Sequence, residues 1–101
     1  MMTMTASLTE KQLEKKFCNA VKSAGGMALK FSAQFKAGVP DRIVLMPKGK
    51  IYFVELKREN GVVSEIQQHT FAEFAKFGFP VRIINSVKMI ENFIAEVTAD
   101  G

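Results

Sequence analysis

The stretch GVPDRIVLMPKGKIYFVELK, residues 38–57, consists of two apolar runs on either side of a turn. Arg42–Met46 and Ile51–Leu56 are rich in β-branched and aromatic residues, which favour strands. Between them, Pro47-Lys48-Gly49-Lys50 places glycine at the third turn position. The pattern predicts a tight antiparallel hairpin with a two-residue loop at Lys48-Gly49.

Charged residues collect at the open end of this hairpin. With a two-residue loop, Asp41 falls opposite Leu56 and beside Glu55, and strand alternation puts Glu55 and Lys57 on one face. Neighbouring carboxylates repel unless a cation or a proton lies between them. Mg²⁺ prefers hard oxygen ligands, so we expect a divalent ion here, with the Leu56 carbonyl as a further ligand. The alternative is ordinary ion pairing of Asp41 with Arg42 or Lys57, and of Glu55 with Lys57.

Two helices begin with the same local signal. Thr9-Glu10-Lys11-Gln12 and Ser64-Glu65-Ile66-Gln67 are capping boxes, which predict helix starts at about residues 10 and 65. Gly25-Gly26 ends the first helix and Gly78 the second. Ser86 is a plausible N-cap for a third, amphipathic helix.

Two short strands complete the prediction. Met27–Phe31 alternates, and we expect Met27, Leu29 and Phe31 to face the core; Val81–Ile84 is a short apolar run. The element order is α-β-β-β-α-β-α, with a parallel crossover between Ile51 and Ile84. We therefore predict an α/β fold with a mixed sheet flanked by helices, in one domain over residues 1–101, with residues 1–7 and 98–101 expected to be disordered.

Composition narrows the class of partner. Residues 1–58 hold eleven Lys/Arg against four Asp/Glu, a net +7, whereas residues 59–101 hold three against six, a net −3. This asymmetry favours a polyanionic partner, with nucleic acid as the first candidate and an anionic membrane surface as the second. Cys18 is the only cysteine, which excludes an internal disulfide and a cysteine-rich zinc site. Without a membrane span or signal peptide in the sequence, we expect a cytoplasmic protein of a bacterial or phage-infected cell.

The chemistry-bearing residues resemble those of a known family. Gly38-Val39-Pro40-Asp41-Arg42, then Val54-Glu55-Leu56-Lys57, then Gln67 early in the next helix are similar to the motifs of the PD-(D/E)xK nucleases, and within them of the VRR-NUC (virus-type replication-repair nuclease) branch. The resemblance covers residues from about 8 to 97. It implies the restriction-endonuclease-like αβββαβα core.

The resemblance also implies the roles of particular residues. Asp41 and Glu55 would bind the catalytic Mg²⁺, for which Mn²⁺ could substitute, Lys57 would complete the triad, and Gln67 would support the site. The family pattern includes a glutamate on the first helix. We assign it to Glu14, by a spacing before Gly25 similar to that of archaeal junction resolvases; Glu10, one turn earlier, is the rival.

Basic residues around the proposed site are candidate DNA contacts. Phosphate contacts give affinity that falls with salt and carry little sequence information. The chain is too small for a separate base-reading module, so we expect recognition of DNA shape. His69, a lone histidine on a helix, is predicted to be a surface residue. The candidate contacts are Lys30, Lys36, Arg42 and Arg58, with Lys48 and Lys50 as further candidates.

These inferences predict a structure-specific endonuclease in DNA repair or phage DNA processing, acting as a homodimer on four-way (Holliday) junctions. Phe35, Met27 and the aromatic second helix are candidates for the dimer surface, although a core role is the default expectation for each. The alternatives are a flap, nicking or restriction-type nuclease of the same fold, and a non-catalytic DNA-binding module. We expect neither a membrane nor a small-molecule cofactor as partner.

Overall fold

A computed structural model describes residues 8–99 of the chain. The predicted order of helices and strands is confirmed. The expected disorder of residues 1–7 and 100–101 lies outside the described residues, whereas Thr98 belongs to the last helix and Ala99 is its C-cap. The elements are α1 (Glu10–Ser23), β1 (Met27–Lys30), β2 (Arg42–Met46), β3 (Lys50–Leu56), α2 (Glu65–Lys76), β4 (Val81–Ile84) and α3 (Val87–Thr98).

The sheet is mixed, as predicted. Its strands lie in the order β1-β2-β3-β4; the first three pair antiparallel, and β4 pairs parallel to β3 after the crossover through α2. None of the helices between residues 8 and 99 is long and apolar enough to cross a membrane.

Both predicted capping boxes are present. The Thr9 hydroxyl accepts a hydrogen bond from the Gln12 amide, and the Gln12 side chain accepts one from the Thr9 amide. Ser64 and Gln67 make the same reciprocal pair at the start of α2. Each pair satisfies two amides that a helix start otherwise leaves unbonded, so these starts are fixed by local sequence.

The predicted hairpin register is wrong by one residue. Met46 pairs with Lys50, so the turn contains three residues, 47–49, instead of two. Pro47 has no amide hydrogen and cannot donate the ladder bond that a two-residue loop would require of it. Lys48 and Gly49 instead adopt positive φ angles of 69° and 74°. Extending the observed register by one step places Asp41 opposite Glu55.

One face of the sheet, here called the inner face, packs against α1 and α3. Its side chains alternate along the strands with those of the opposite face. The rings of Phe17 in α1 and Phe93 in α3 lie 5.6 Å apart between the two helices. The buried core on this side consists of Leu13, Phe17, Val21, Val44, Met46, Val54, Leu56, Ile84, Ile90, Phe93 and Val97, with Ala28 packed against it.

The opposite face, here called the outer face, is covered by α2 over only part of its width. Phe74 of α2 packs on Phe53 at 5.1 Å between ring centroids, and Phe31, which was expected to face the core, joins this half-buried cluster on the outer face. The expectation that Met27 and Leu29 face the core is wrong, because the helices α1 and α3 cover the Ala28 side of β1. The exposed apolar side chains of the outer face are Met27, Leu29, Leu45, Ile51 and Ile83.

Candidate active site

Asp41 and Glu55 meet at the open end of the β2–β3 hairpin, on the outer face. The Asp41 amide donates a hydrogen bond of 3.1 Å to Oε1 of Glu55, and the Leu56 amide donates one of 3.0 Å to Oδ2 of Asp41. The Phe31 amide donates to the Asp41 carbonyl, which ties the approach to β2 to the end of β1. Each carboxylate therefore receives a backbone amide from the segment that carries the other.

Glu55 is a buried acid with two side-chain donors. Only 1% of the residue is exposed, and its Oε2 lies 3.1 Å from Nζ of Lys57 and accepts a 2.7 Å hydrogen bond from Nε2 of Gln67. Burial raises the pKa of the Glu55 carboxyl, and nearby Asp41 adds to the rise, whereas the hydrogen bonds from Lys57 and Gln67 oppose it. A buried carboxylate of this kind holds its charge at a cost and gains from a cation.

Gln67 has two structural roles at once. Its Oε1 accepts a hydrogen bond from the Ser64 amide in the capping box, while its Nε2 donates to Glu55. The side-chain amide of Gln67 is therefore held at both its oxygen and its nitrogen. The start of α2 and the orientation of the Glu55 carboxylate are coupled through this one side chain.

Sequence reasoning missed Thr70, which anchors the loop before Asp41. Its buried hydroxyl donates a 2.8 Å hydrogen bond to the Ala37 carbonyl. Next to it, Gly38 has a φ of 80°, and a Cβ there would lie 2.7 Å from the carbonyl oxygen of Ile66. The loop therefore rests directly on the α2 backbone. The available signal was a polar residue three positions after Gln67, on the same face of α2.

The structure places Glu14 beside Arg42, the residue that follows Asp41, and among residues 8–99 no hydrogen bond or ion pair links Glu14 to Asp41 or Glu55. Glu14 Oε1 lies 3.1 Å from Nη2 of Arg42, and Nη1 of Arg42 makes a long 3.5 Å hydrogen bond to the Ala28 carbonyl. Glu10 is exposed in the first turn of α1. The alternative pairing of Arg42 with Asp41 is not found, because the Arg42 side chain points to the inner-face side and pairs with Glu14. Its role as a DNA contact stays a prediction.

The other candidate DNA contacts divide between the two ends of the hairpin. Lys30 is exposed and lies opposite Arg42 in the register of β1 and β2. Arg58 is exposed just beyond β3, so both residues lie at the carboxylate end of the hairpin. Lys36 forms an ion pair with Glu73 of α2. Lys48 and Lys50 lie at the turn end, away from Asp41 and Glu55. His69 is an exposed surface residue 3.9 Å from Glu73.

The donor set at this end fits a hard cation that is bound mainly through water and substrate. Residues 8–99 contain no group of three or more His, Cys, Asp and Glu side chains placed to hold a metal. Mg²⁺ typically takes one or two carboxylates and completes its shell with water and phosphate oxygens. Asp41, Glu55 and the Leu56 carbonyl suffice for that mode, and the burial of Glu55 favours a cation.

Comparisons with known proteins identify the family and the fold. The model of the VRR-NUC domain family matches residues 3–88. "Putative nuclease p44" of Acyrthosiphon pisum secondary endosymbiont phage 1 is 35% identical over 79 residues, which are 78% of this chain and 85% of that protein. A solved structure described as "VRR_NUC domain" is 31% identical, with a TM-score of 0.80 over 85% of this chain and 94% of the other. Nuclease domains of this type generally use divalent metal ions. The chain belongs to the VRR-NUC family of nuclease domains.

Proposed function

We propose that the protein is an endonuclease that cuts branched DNA with Mg²⁺ or Mn²⁺ and that acts on four-way junctions as a homodimer. The observation that carries this proposal is the buried Glu55, which contacts Lys57, Gln67 and the amide of Asp41. Two carboxylates and a lysine at one end of a sheet provide the ligands and the positive charge that phosphodiester hydrolysis requires.

Each residue has a distinct task in this proposal. Asp41 and Glu55, with the Leu56 carbonyl, would hold the divalent ion, which would supply the positive charge that polarises a phosphodiester and lowers the pKa of a bound water. Lys57 Nζ, held against Glu55, orients that water or neutralises charge that develops on the phosphate. Gln67 keeps the Glu55 carboxylate in one orientation. Glu14 is our choice for the helix acid over Glu10, because Glu14 lies beside Arg42.

The outer face supports the dimer. Met27 is 55% exposed there, Leu29 42%, Ile51 41% and Leu45 39%, and these four residues lie on the adjacent strands β1, β2 and β3. A chain of net charge +4 repels its own copy over most of its surface, but this patch contains no charge. A two-fold axis would place the same apolar patch of each copy against the other, whereas DNA offers no apolar counterpart. The patch thus fits a second copy of this chain.

A cleavage assay separates the candidate functions. Labelled four-way junction, flap and linear duplex DNA are incubated with the protein in Mg²⁺, in Mn²⁺ and in EDTA. We expect paired cuts in the junction with either ion and none in EDTA. If linear duplex is cut as efficiently as the junction, the proposal of a structure-specific endonuclease is wrong. Binding without cleavage in both ions identifies a non-catalytic DNA-binding module, and preferential cutting of flaps identifies the flap-type alternative.

A further inference from the structure

An open cleft lies on α1, next to the start of β2 and outside the carboxylate site. Its volume is about 390 Å³. Lys11, Glu14, Lys15 and Cys18 share one face of the helix at spacings of three and four residues, and Arg42 reaches the cleft from β2. The complete lining is Thr9, Lys11, Gln12, Glu14, Lys15, Cys18 and Arg42.

Positive charge dominates this cleft. It holds three cationic side chains and one acid, and Glu14 is already paired with Arg42. Among the residues 8–99, neither Lys11 nor Lys15 forms an ion pair. Arg42 is also incompletely bonded: one nitrogen contacts Glu14, another makes a long bond to Ala28, and the buried Nε has no partner within the described part of the chain. The cleft is therefore a concave site whose positive charge is only partly neutralised by Glu14.

The cleft and the candidate active site are neighbours, because consecutive residues of the chain contribute to them. Arg42 follows Asp41 directly, and their side chains leave the strand on opposite sides. A DNA strand that passes from Asp41 around the end of the sheet to Arg42 would reach Lys15 and Lys11. Lys30, the ladder partner of Arg42, adds a cation at the same edge.

We propose that this cleft binds a backbone phosphate of the DNA, next to the one that is cleaved, with Lys11 and Lys15 as its main contacts. The inference rests on the proposed function, because it takes DNA as the substrate. Two lysines one turn apart on a helix form a point-charge site suited to one phosphate group. Such a contact positions the strand on the enzyme and carries no base preference.

The chain offers a matched control on the same helix. Lys16 and Lys22 are exposed on α1 and lie outside the cleft. The K11Q/K15Q and K16Q/K22Q double variants therefore remove equal charge from the same element at exposed positions, and circular dichroism verifies their folding. Binding to a fluorescent four-way junction is measured in EDTA, so that no cleavage occurs, over a series of salt concentrations.

We expect K11Q/K15Q to bind about tenfold more weakly near physiological salt and to flatten the plot of log affinity against log salt by between about 1 and 2. K16Q/K22Q should keep a slope close to that of the unaltered protein. Equal losses in the two double variants would assign the effect to overall charge and overturn the proposal.

Cys18 supplies an independent readout, because it lines the cleft and is the only cysteine of the chain. Bound junction DNA should slow alkylation of Cys18 several-fold, and added salt that releases the DNA should restore the rate. In K11Q/K15Q, saturated with DNA, this protection should be reduced. If DNA binds and Cys18 reacts at an unchanged rate, the cleft proposal fails while the nuclease proposal stands. If the unaltered protein neither binds nor cuts any DNA, both fail.

Discussion

The two faces of the sheet differ in what covers them. The inner face is sealed by α1 and α3, and its central residues Val44, Val54 and Leu56 are fully buried. The outer face is only partly covered by α2, exposes Leu45 and Ile51, and ends in the buried acid Glu55. Apolar burial accounts for stability on the first face, whereas the second keeps features that cost stability. The closed apolar core and the Asp41–Glu55 carboxylate pair therefore lie on opposite faces of one layer of strands.

The largest effect should come from the acid of the outer face. Glu55→Gln keeps the shape of the side chain but removes the charge that holds a cation, so we expect cleavage to fall by at least about 1,000-fold. Junction binding in EDTA should persist. The matched control is Glu91→Gln on the exposed surface of α3, which should retain full activity. Cleavage by Glu55→Gln at an unaltered rate would remove this residue from the catalytic machinery.

Paired leucine truncations compare the faces in stability. Leu56→Ala on the inner face should lower the free energy of unfolding by about 3 kcal/mol, because it leaves a cavity in a closed core. Leu29→Ala on the outer face should cost less than about 1 kcal/mol in the monomer, since the side chain is already 42% exposed. Urea unfolding at low protein concentration measures both. Similar losses would show that the outer face is as closed as the inner face.

The same face can be tested for self-association. Leu45→Lys adds a charge to the apolar patch. If the proposed homodimer uses this patch, sedimentation equilibrium should show dimers for the unaltered protein and monomers for the variant, while the thermal midpoint of the monomer changes little. Val62→Lys is the control, because Val62 is exposed in the loop before α2 and outside the patch. A dimer that tolerates Leu45→Lys must use another surface.

A smaller effect separates the roles of Gln67. Gln12 and Gln67 occupy the same position in two capping boxes, but only Gln67 also contacts Glu55. Gln12→Ala and Gln67→Ala should each lower stability by a similar amount, about 1 kcal/mol or less. Only Gln67→Ala should reduce cleavage, by about 10- to 100-fold, as expected for a residue that orients a metal ligand. Equal activities would limit Gln67 to capping.

The sequence predicted features set by nearest neighbours better than those set by distant contacts. Capping boxes are local, so α1 and α2 start where the two boxes predicted them. The predicted hairpin register was wrong because Pro47 lacks an amide hydrogen and therefore cannot donate the bond that closes a two-residue loop. Alternation in β1 indicated two faces but not which one α1 and α3 would cover, so Met27 was assigned to the core. The pairing of Arg42 with Glu14 joins residues far apart in the chain and has no local signal.

The smallest predicted effect concerns two carboxylates with opposite pH dependence. Burial raises the pKa of Glu55 in the folded protein, so its protonated form favours folding; this contribution is present below the pKa of the unfolded chain and is lost as pH rises through the folded value. The hydrogen bond from Arg82 lowers the pKa of Glu96, so that pair stabilises the fold at higher pH and is lost as pH falls.

Thermal unfolding in EDTA from acid to neutral pH should show this contrast. As pH rises, Glu55→Gln should gain a few degrees in midpoint relative to the unaltered protein, because glutamine never acquires the buried charge. The midpoint of Glu96→Gln should fall relative to the unaltered protein as pH rises. This change should be smaller than the gain of Glu55→Gln, because the Arg82–Glu96 pair is solvent-exposed and screened. If both variants shift in the same direction, the charge of Glu55 is not held at a cost. In that case the partly covered outer face, like the inner face, would hold no charge at a cost in stability.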